Sequence, residues 1–326
     1  MTAKPRALVT APMRGPGFAK LRELADVVYD PWLEQTPLRI YDAEQLAERI
    51  TREAAEIVVV ESDSVRGPVF DLDLRAIAST RGDPNNVDIA AATAAGIPVL
   101  NTPARNADAV AEMTVALLLA ATRHVLPADA DVRSGNIFRD GTIPYQRFRA
   151  AEIAGLTAGL VGLGAVGRAT RWRLSGLGLR VIAHDPYNAE ARHSLAELLG
   201  EADVVSLHAP VTDDTAGMIG AREFAAMRDG VVFLNTARAQ LHDTDALVDA
   251  LVGGKVGAAG LDHFAGEWLP ADHPLVGMGN VVLTPHIGGA TFNTEARQAQ
   301  MVADDLEALL AGRAPAHIVN PEVLGP

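Results

Sequence analysis

Residues 159–167 read Gly159-Leu160-Val161-Gly162-Leu163-Gly164-Ala165-Val166-Gly167, an apolar strand pattern running into G-x-G-x-x-G and then into a helical pattern. In such a turn Gly162 permits the tight reversal. Gly164 lets the main chain approach a pyrophosphate, and Gly167 lets the helix pack closely on the strand. The helix N-terminus beyond offers free N–H groups and a positive dipole end to phosphate. Three glycines can coincide in an Ala/Gly-rich chain, so a turn with no ligand is the plain alternative. The context argues against it. The next strand pattern ends at Asp185, 18 residues after Gly167, near the expected position of the acid that binds the adenosine ribose. A carboxylate there repels a 2′-phosphate and so favours NAD over NADP, with Arg192 as the opposing charge.

Outward from this turn, short apolar runs alternate with helical patterns. Downstream strands are predicted at Leu156–Leu163, Leu179–Asp185, Val204–His208, Val231–Asn235, Val256–Leu261 and Val281–Thr284. A helix at Thr244–Leu251 is closed by Gly253 and Gly254. Upstream strands are predicted at Arg6–Thr10, Val27–Tyr29, Ile57–Val60, Ala76–Ser79 and Pro98–Asn101, with helices at Ala43–Thr51 and Ile89–Ala95. The segment Asn106–Arg123 reads as one long helix with Val110, Met113, Leu117 and Ala121 on one face. This alternation predicts an α/β protein with parallel, doubly wound sheets. No internal repeat or low-complexity tract interrupts it.

Composition sets outer bounds. The chain has 326 residues, 48% of them hydrophobic, enough for two cores. Its net charge of −13 and pI near 5.1 argue against a nucleic-acid partner. With no cysteine, disulfides, thiolate nucleophiles and Cys-ligated metals are excluded. The N-terminus is too weakly apolar for a signal peptide. The most apolar stretch, Ala109–Leu126, carries Glu112, Arg123 and His124 and reads as a buried helix rather than a membrane span. A cytoplasmic protein is expected.

Three segments fall where loops leave the carboxyl ends of the later strands: Asn235-Thr236-Ala237-Arg238, Leu261 to Glu267, and Thr284 to Thr291. In a doubly wound sheet that edge is the cofactor crevice, so Arg238, Glu267 and His286 are expected to converge there. Hydride transfer to a 2-oxo acid needs a proton for the developing alkoxide, which His286 can supply. Glu267 would orient the ring and stabilise imidazolium. Arg238 would bind the substrate carboxylate and polarise its carbonyl, a planar task suited to guanidinium. Each residue alone has an ordinary structural explanation: a strand cap, a surface acid, a partner for Asp243 or Asp245. His208 is a candidate cofactor contact from a strand end, His184 is read as ligand-adjacent without catalytic duty, and His263 and His273 receive no role. No His/Asp/Glu spacing suggests a metal-ligand set, so no metal is expected.

These stretches resemble the D-isomer-specific 2-hydroxyacid dehydrogenases, a family that includes D-3-phosphoglycerate dehydrogenase, glyoxylate reductase and D-lactate dehydrogenase. The matching residues are NVDIAAATAAGIPVLNTPARNADAVAE from Asn86 to Glu112, GLVGLGAVG, HDPY around Asp185, LHAP around His208, NTAR ending in Arg238, and LDHFAGE through TPHIGGAT. The resemblance implies two Rossmann-like domains, with an NAD domain (102–288) inserted into a discontinuous substrate domain (1–101 plus 289–326), and a homodimer formed through the NAD domain. It implies no C-terminal regulatory domain. It places the catalytic Arg, Glu and His on Arg238, Glu267 and His286 and the nicotinamide-amide acceptor on Asp262. Further cofactor contacts would come from Gly162, Gly164, Ala165, Val166, Gly167, Asp185, His208, Ala209, Pro210, Thr236, Ala237 and Gly288. The substrate loop departs from the family's glycine-rich form: Arg81-Gly82-Asp83-Pro84-Asn85-Asn86 is one residue shorter and carries an acid and a proline. Arg81, Gly82 and Asp83 are its candidate substrate contacts. Ala239 and Trp268 replace the usual glycine and proline. Arg66, Arg81 and Arg105 are the candidates for a phosphate on the substrate. A small 2-hydroxy or 2-oxo acid is the expected ligand. A non-enzymatic NAD-sensing scaffold, or a formate- or phosphite-type dehydrogenase, is the competing reading.

Overall fold

The computed structural model describes residues 4–325. The chain divides into two compact units, one taking the chain up to Arg105 and again from Thr291, the other Asn106–Ala290.

The first unit holds five parallel strands: β1 (Arg6–Val9), β2 (Asp26–Tyr29), β3 (Ile57–Val60), β4 (Ala76–Ser79) and β5 (Val99–Leu100), in the order β2-β1-β3-β4-β5. The central run Ile57–Val60 is apolar throughout because both faces are covered. Ile57 and Val59 join a core with helices Gly15–Leu24 and Phe292–Leu310, while Val58 and Val60 face the helix Ala43–Glu53. Gly17 permits the first of these contacts, since a Cβ there would lie 2.2 Å from the Gln300 backbone nitrogen. Asp42 caps the helix Ala43–Glu53 by accepting from Gln45 N, with Gln45 returning the bond.

The second unit holds six parallel strands: β6 (Thr157–Val161), β7 (Arg180–His184), β8 (Val204–Leu207), β9 (Val231–Asn235), β10 (Val256–Leu261) and β11 (Val281–Leu283). Their order is β11-β10-β9-β8-β6-β7. The chain leaves β6 toward β7 on one side and returns to β8 on the other, so the direction of winding reverses between β6 and β8. Such a switch point opens a crevice beyond the strands' carboxyl ends. Both units wind alike: each places its first strand between the second and the third.

The expected long helix is present as Ala107–Thr122, with Leu117, Leu118 and Ala121 buried. It stops at His124, whose φ of 54° is left-handed, and a second helix, Val125–Arg133, follows at 65°. Among the described residues no single helix is long and apolar enough to cross a membrane.

Candidate active site

The glycine turn sits at the switch point of the second unit. Gly162 has φ +98°, and a Cβ on it would lie 2.7 Å from Ala209 N and from the His208 carbonyl. The β6 turn and the end of β8 therefore touch main chain to main chain, which places His208, Ala209 and Pro210 beside the turn. A Cβ on Gly167 would lie 2.3 Å from Gly162 O, whereas Gly164 has nothing within 4 Å. Helix Ala165–Gly176 starts at Gly164 with no side-chain cap, so its first N–H groups, including those of Ala165 and Val166, face open space. An uncapped N-terminus beside an uncrowded glycine fits a pyrophosphate.

Asp185, at the end of β7, accepts from Leu163 N at 2.8 Å and from Tyr187 N at 2.9 Å. These bonds fix the carboxylate against the glycine turn. The open cavity next to it, about 530 Å³, is lined by Asp185, Pro186, Tyr187, Arg192 and His193 among others. His208 accepts or donates at 2.9 Å to Ser206 Oγ through Nε2. Burial holds its pKa down at about 4, so its ring is neutral at ordinary pH.

The polar loops gather beyond β9, β10 and β11. Asn235 organises the first: its Oδ1 accepts from Ala237 N, and its Nδ2 donates to the Arg238 carbonyl at 2.8 Å. The turn projects an exposed Arg238, whose Nη1 donates to the Ala237 carbonyl at 2.6 Å. Buried Thr236 meets Thr114 hydroxyl to hydroxyl at 2.8 Å. His286 Nδ1 lies 2.9 Å from Glu267 Oε1. Both residues occupy left-handed backbone, with φ of 54° and 56°. Both side chains are accessible, at 43% and 59%.

Asp262, expected to accept from the nicotinamide amide, also organises its own loop. It is buried and takes hydrogen bonds from Thr284 Oγ1 (2.6 Å), Ile287 N (3.0 Å) and Gly288 N (2.8 Å). It thus clamps the loop that carries His286. Gly288 makes room for that carboxylate, since a Cβ there would lie 2.9 Å from Asp262 Oδ2.

One residue without a role in the sequence reading also sits here. His263 is 4% exposed, and its ring centroid lies 3.8 Å from that of His286. Burial, with the adjacent His286 and Arg238, lowers its pKa to about 4. Its only sequence signal was an imidazole at the end of an apolar strand. His263, Glu267 and His286 are also the one set among the described residues whose ligating atoms cluster closely enough to hold a metal.

Arg81, Gly82 and Asp83 lie in the first unit, on the loop after β4. Arg81 is committed to its own surroundings: Nε donates to the Glu61 carbonyl at 2.6 Å and Nη1 to Asn85 Oδ1 at 2.8 Å. The Gly82 carbonyl accepts from Asn101 Nδ2, and Asp83 is exposed. Arg105 pairs with Glu61 in the same unit, and Arg66 donates to the Asn85 carbonyl.

Residues 115–288 match the model of the D-isomer specific 2-hydroxyacid dehydrogenase family, NAD binding domain. The chain belongs to this family. As a 2-hydroxyacid dehydrogenase it is an NAD-dependent oxidoreductase that moves a hydride to or from C2 of 2-hydroxy and 2-oxo acids. It is 37% identical to a glyoxylate reductase of Thermofilum pendens over 99% of this chain and 96% of that one. It is 40% identical to a D-3-phosphoglycerate dehydrogenase of Mycobacterium tuberculosis over 76% of this chain but 47% of that longer one. Among solved structures, a D-isomer specific 2-hydroxyacid dehydrogenase of Lactobacillus delbrueckii ssp. bulgaricus in its NAD-complexed form is similar at 27% identity. That match has a TM-score of 0.80 and covers 97% of this chain and all of that one.

Proposed function

We propose that this dehydrogenase reduces a small 2-oxo acid of the glyoxylate or hydroxypyruvate type, with His286 as the proton donor. The observation that carries this reading is the 2.9 Å contact between His286 Nδ1 and Glu267 Oε1, which leaves the ring's Nε2 for substrate. Bound NADH would supply the hydride; the chain's own residues do the rest. The uncapped helix start at Ala165 and the carboxylate of Asp185 would hold the dinucleotide. Arg238 would bind the substrate carboxylate and polarise the carbonyl. His286 would pass a proton to the carbonyl oxygen as the hydride reaches C2, and the Glu267 charge would stabilise the imidazolium while it waits. In the oxidation direction the same ring takes the proton back.

The small substrate is supported by the near full-length match to a glyoxylate reductase, whereas the phosphoglycerate dehydrogenase shares only part of its length with this chain. We assign dinucleotide binding, and the hold on the substrate's reacting end by Arg238 and His286, to the second unit. A homodimer formed by the second unit is supported by an apolar groove of about 660 Å³ bounded by Val115, Trp172 and Leu177, and by exposed Val132, Phe138 and Tyr145. We place the protein in the cytoplasm.

The test is NADH oxidation with glyoxylate, hydroxypyruvate, pyruvate and 3-phosphohydroxypyruvate, repeated with His286→Ala. Turnover should be highest with the two small acids and fall by about 10²–10⁴-fold in the variant, the usual range for losing a general acid. Unchanged turnover in the variant would remove His286 from the chemistry.

A further inference from the structure

The proposed reaction uses Glu267 and His286 but leaves His263 idle, although His263 is the best-fixed polar side chain of the three. It is buried, and its ring lies 3.8 Å from that of His286. Burial holds the imidazole in one place, with a second imidazole and a carboxylate beside it. Here one ligand atom from each of His263, Glu267 and His286 lies within 4.8 Å of the other two.

We propose that His263, Glu267 and His286 form a transition-metal site that Zn²⁺ fills, displacing the proton between Glu267 and His286 and arresting the dehydrogenase. Two imidazoles and one carboxylate are an established zinc set with an open fourth position. Oxygen-preferring Mg²⁺ and Ca²⁺ are poorly matched to two nitrogens. Ligands at about 2.0–2.2 Å from zinc stand roughly 3.3–3.5 Å apart around a tetrahedron. Closing from 4.8 Å to that spacing requires movement of up to about 1.5 Å. The accessible side chains of Glu267 and His286 can supply it, while His263 stays fixed. Two charges flank the site: Asp262 favours a cation and Arg238 opposes one, so the affinity expected is that of a regulatory site and not of a permanently metallated one. Binding itself depends only on these side chains; the arrest of turnover rests on the proposed role of His286.

The experiment uses the full chain after chelator treatment, titrated calorimetrically with ZnCl₂ and spectroscopically with CoCl₂. One Zn²⁺ per chain should bind in the micromolar range, Co²⁺ should give a tetrahedral d–d spectrum, and MgCl₂ should not compete. In His263→Phe, which keeps a flat ring and removes the ligand, binding should weaken at least tenfold, and the variant should keep its own zinc-free rate when zinc is added. Equal zinc affinity in wild type and His263→Phe, or no binding to wild type below 100 µM, overturns the site. Should His263→Phe fail to fold, Glu267→Gln at an exposed position tests zinc affinity alone, which should likewise weaken at least tenfold. Zinc binding with no turnover on any 2-oxo acid would sustain this site and defeat the proposed reaction; turnover without zinc binding would do the opposite.

Discussion

Alanine at Gly164 should leave the second unit as stable as before and weaken NAD binding, whereas alanine at Gly162 should unfold it at lower temperature whether or not NAD is present. The difference follows from space and backbone angle. Gly162 has φ +98°, and its added Cβ would stand 2.7 Å from backbone atoms of His208 and Ala209, which no rotamer change can move. A left-handed conformation costs an L-residue roughly 1–2 kcal/mol, and forcing a methyl into a packed site costs about 1–3 kcal/mol. The sum is about 2–5 kcal/mol. At about 2–4 °C per kcal/mol for a unit of this size, the melting point should fall by about 4–20 °C. Gly167→Ala, with its Cβ 2.3 Å from Gly162 O, belongs in the same class. Gly164 has φ −72° and ψ −157°, ordinary for any residue, and open space around it. Its alanine variant should melt within about 1 °C of wild type, since surface changes of this kind stay near ±0.5 kcal/mol. A methyl there would intrude only on the approaching pyrophosphate; an overpacking cost of about 1–3 kcal/mol predicts a Kd for NADH raised about 5- to 150-fold. Scanning fluorimetry without cofactor and calorimetric titration with NADH separate the two effects. A Gly164→Ala protein that melts several degrees low and binds NADH normally would refute this account of the turn.

Two other perturbations test the loops. His242 is 6% exposed, and its Nδ1 accepts from Asn235 Nδ2 at 3.0 Å, the same Asn235 that shapes the Arg238 turn. Burial lowers its pKa to about 4. Because the folded pKa lies below the unfolded one, the unfolded chain takes the proton first. Stability should therefore be full above pH 6.5 and decline as pH falls toward 4, by about 3 kcal/mol in all. Urea unfolding from pH 7 to 4.5 should show a gap between wild type and His242→Gln that narrows as pH drops; a gap constant across that range would contradict the assignment. Arg238→Lys keeps the charge and loses the planar fork, so kcat/KM for a 2-oxo acid should fall about 10²-fold while the Kd for NADH stays within twofold. An equal loss in NADH binding would show that Arg238 serves the cofactor and not the acid.

The sequence was most informative where one residue type has one physical use. The glycine turn was legible because Gly162 and Gly167 sit where any Cβ meets backbone. The strands were legible because runs such as Ile57 to Val60 are covered on both faces and so carry no polar interruption. Predicted strand ends overran by a residue or two, as with Leu156–Leu163 against Thr157–Val161, since apolar character continues into the turn after ladder pairing stops. The strand order could not be read, because hydrophobic pattern says nothing about which strand lies beside β6. Side-chain commitments were equally hidden. Arg81 reads as a candidate substrate contact, and its bonds to the Glu61 carbonyl and Asn85 Oδ1 could not be read from spacing. Asp262 holds the His286 loop through three donors whose convergence no spacing reveals. His263 and His286 stand 23 residues apart in the chain, and only the parallel pairing of β10 with β11 brings their rings together.

Glu267 and His286 share one more property, their left-handed backbone. Neither is glycine, so each conformation carries a penalty on the order of 1 kcal/mol that the surrounding loops must override. The pair proposed to handle the proton is consequently a place where the molecule would be sturdier with other residues. Glycine at 286 should relieve the torsion that alanine at 286 preserves, so the His286→Gly protein should outlast His286→Ala on heating. Selection for mere durability would erode this corner of the molecule first, and its persistence in a functional lineage would have to be maintained by turnover.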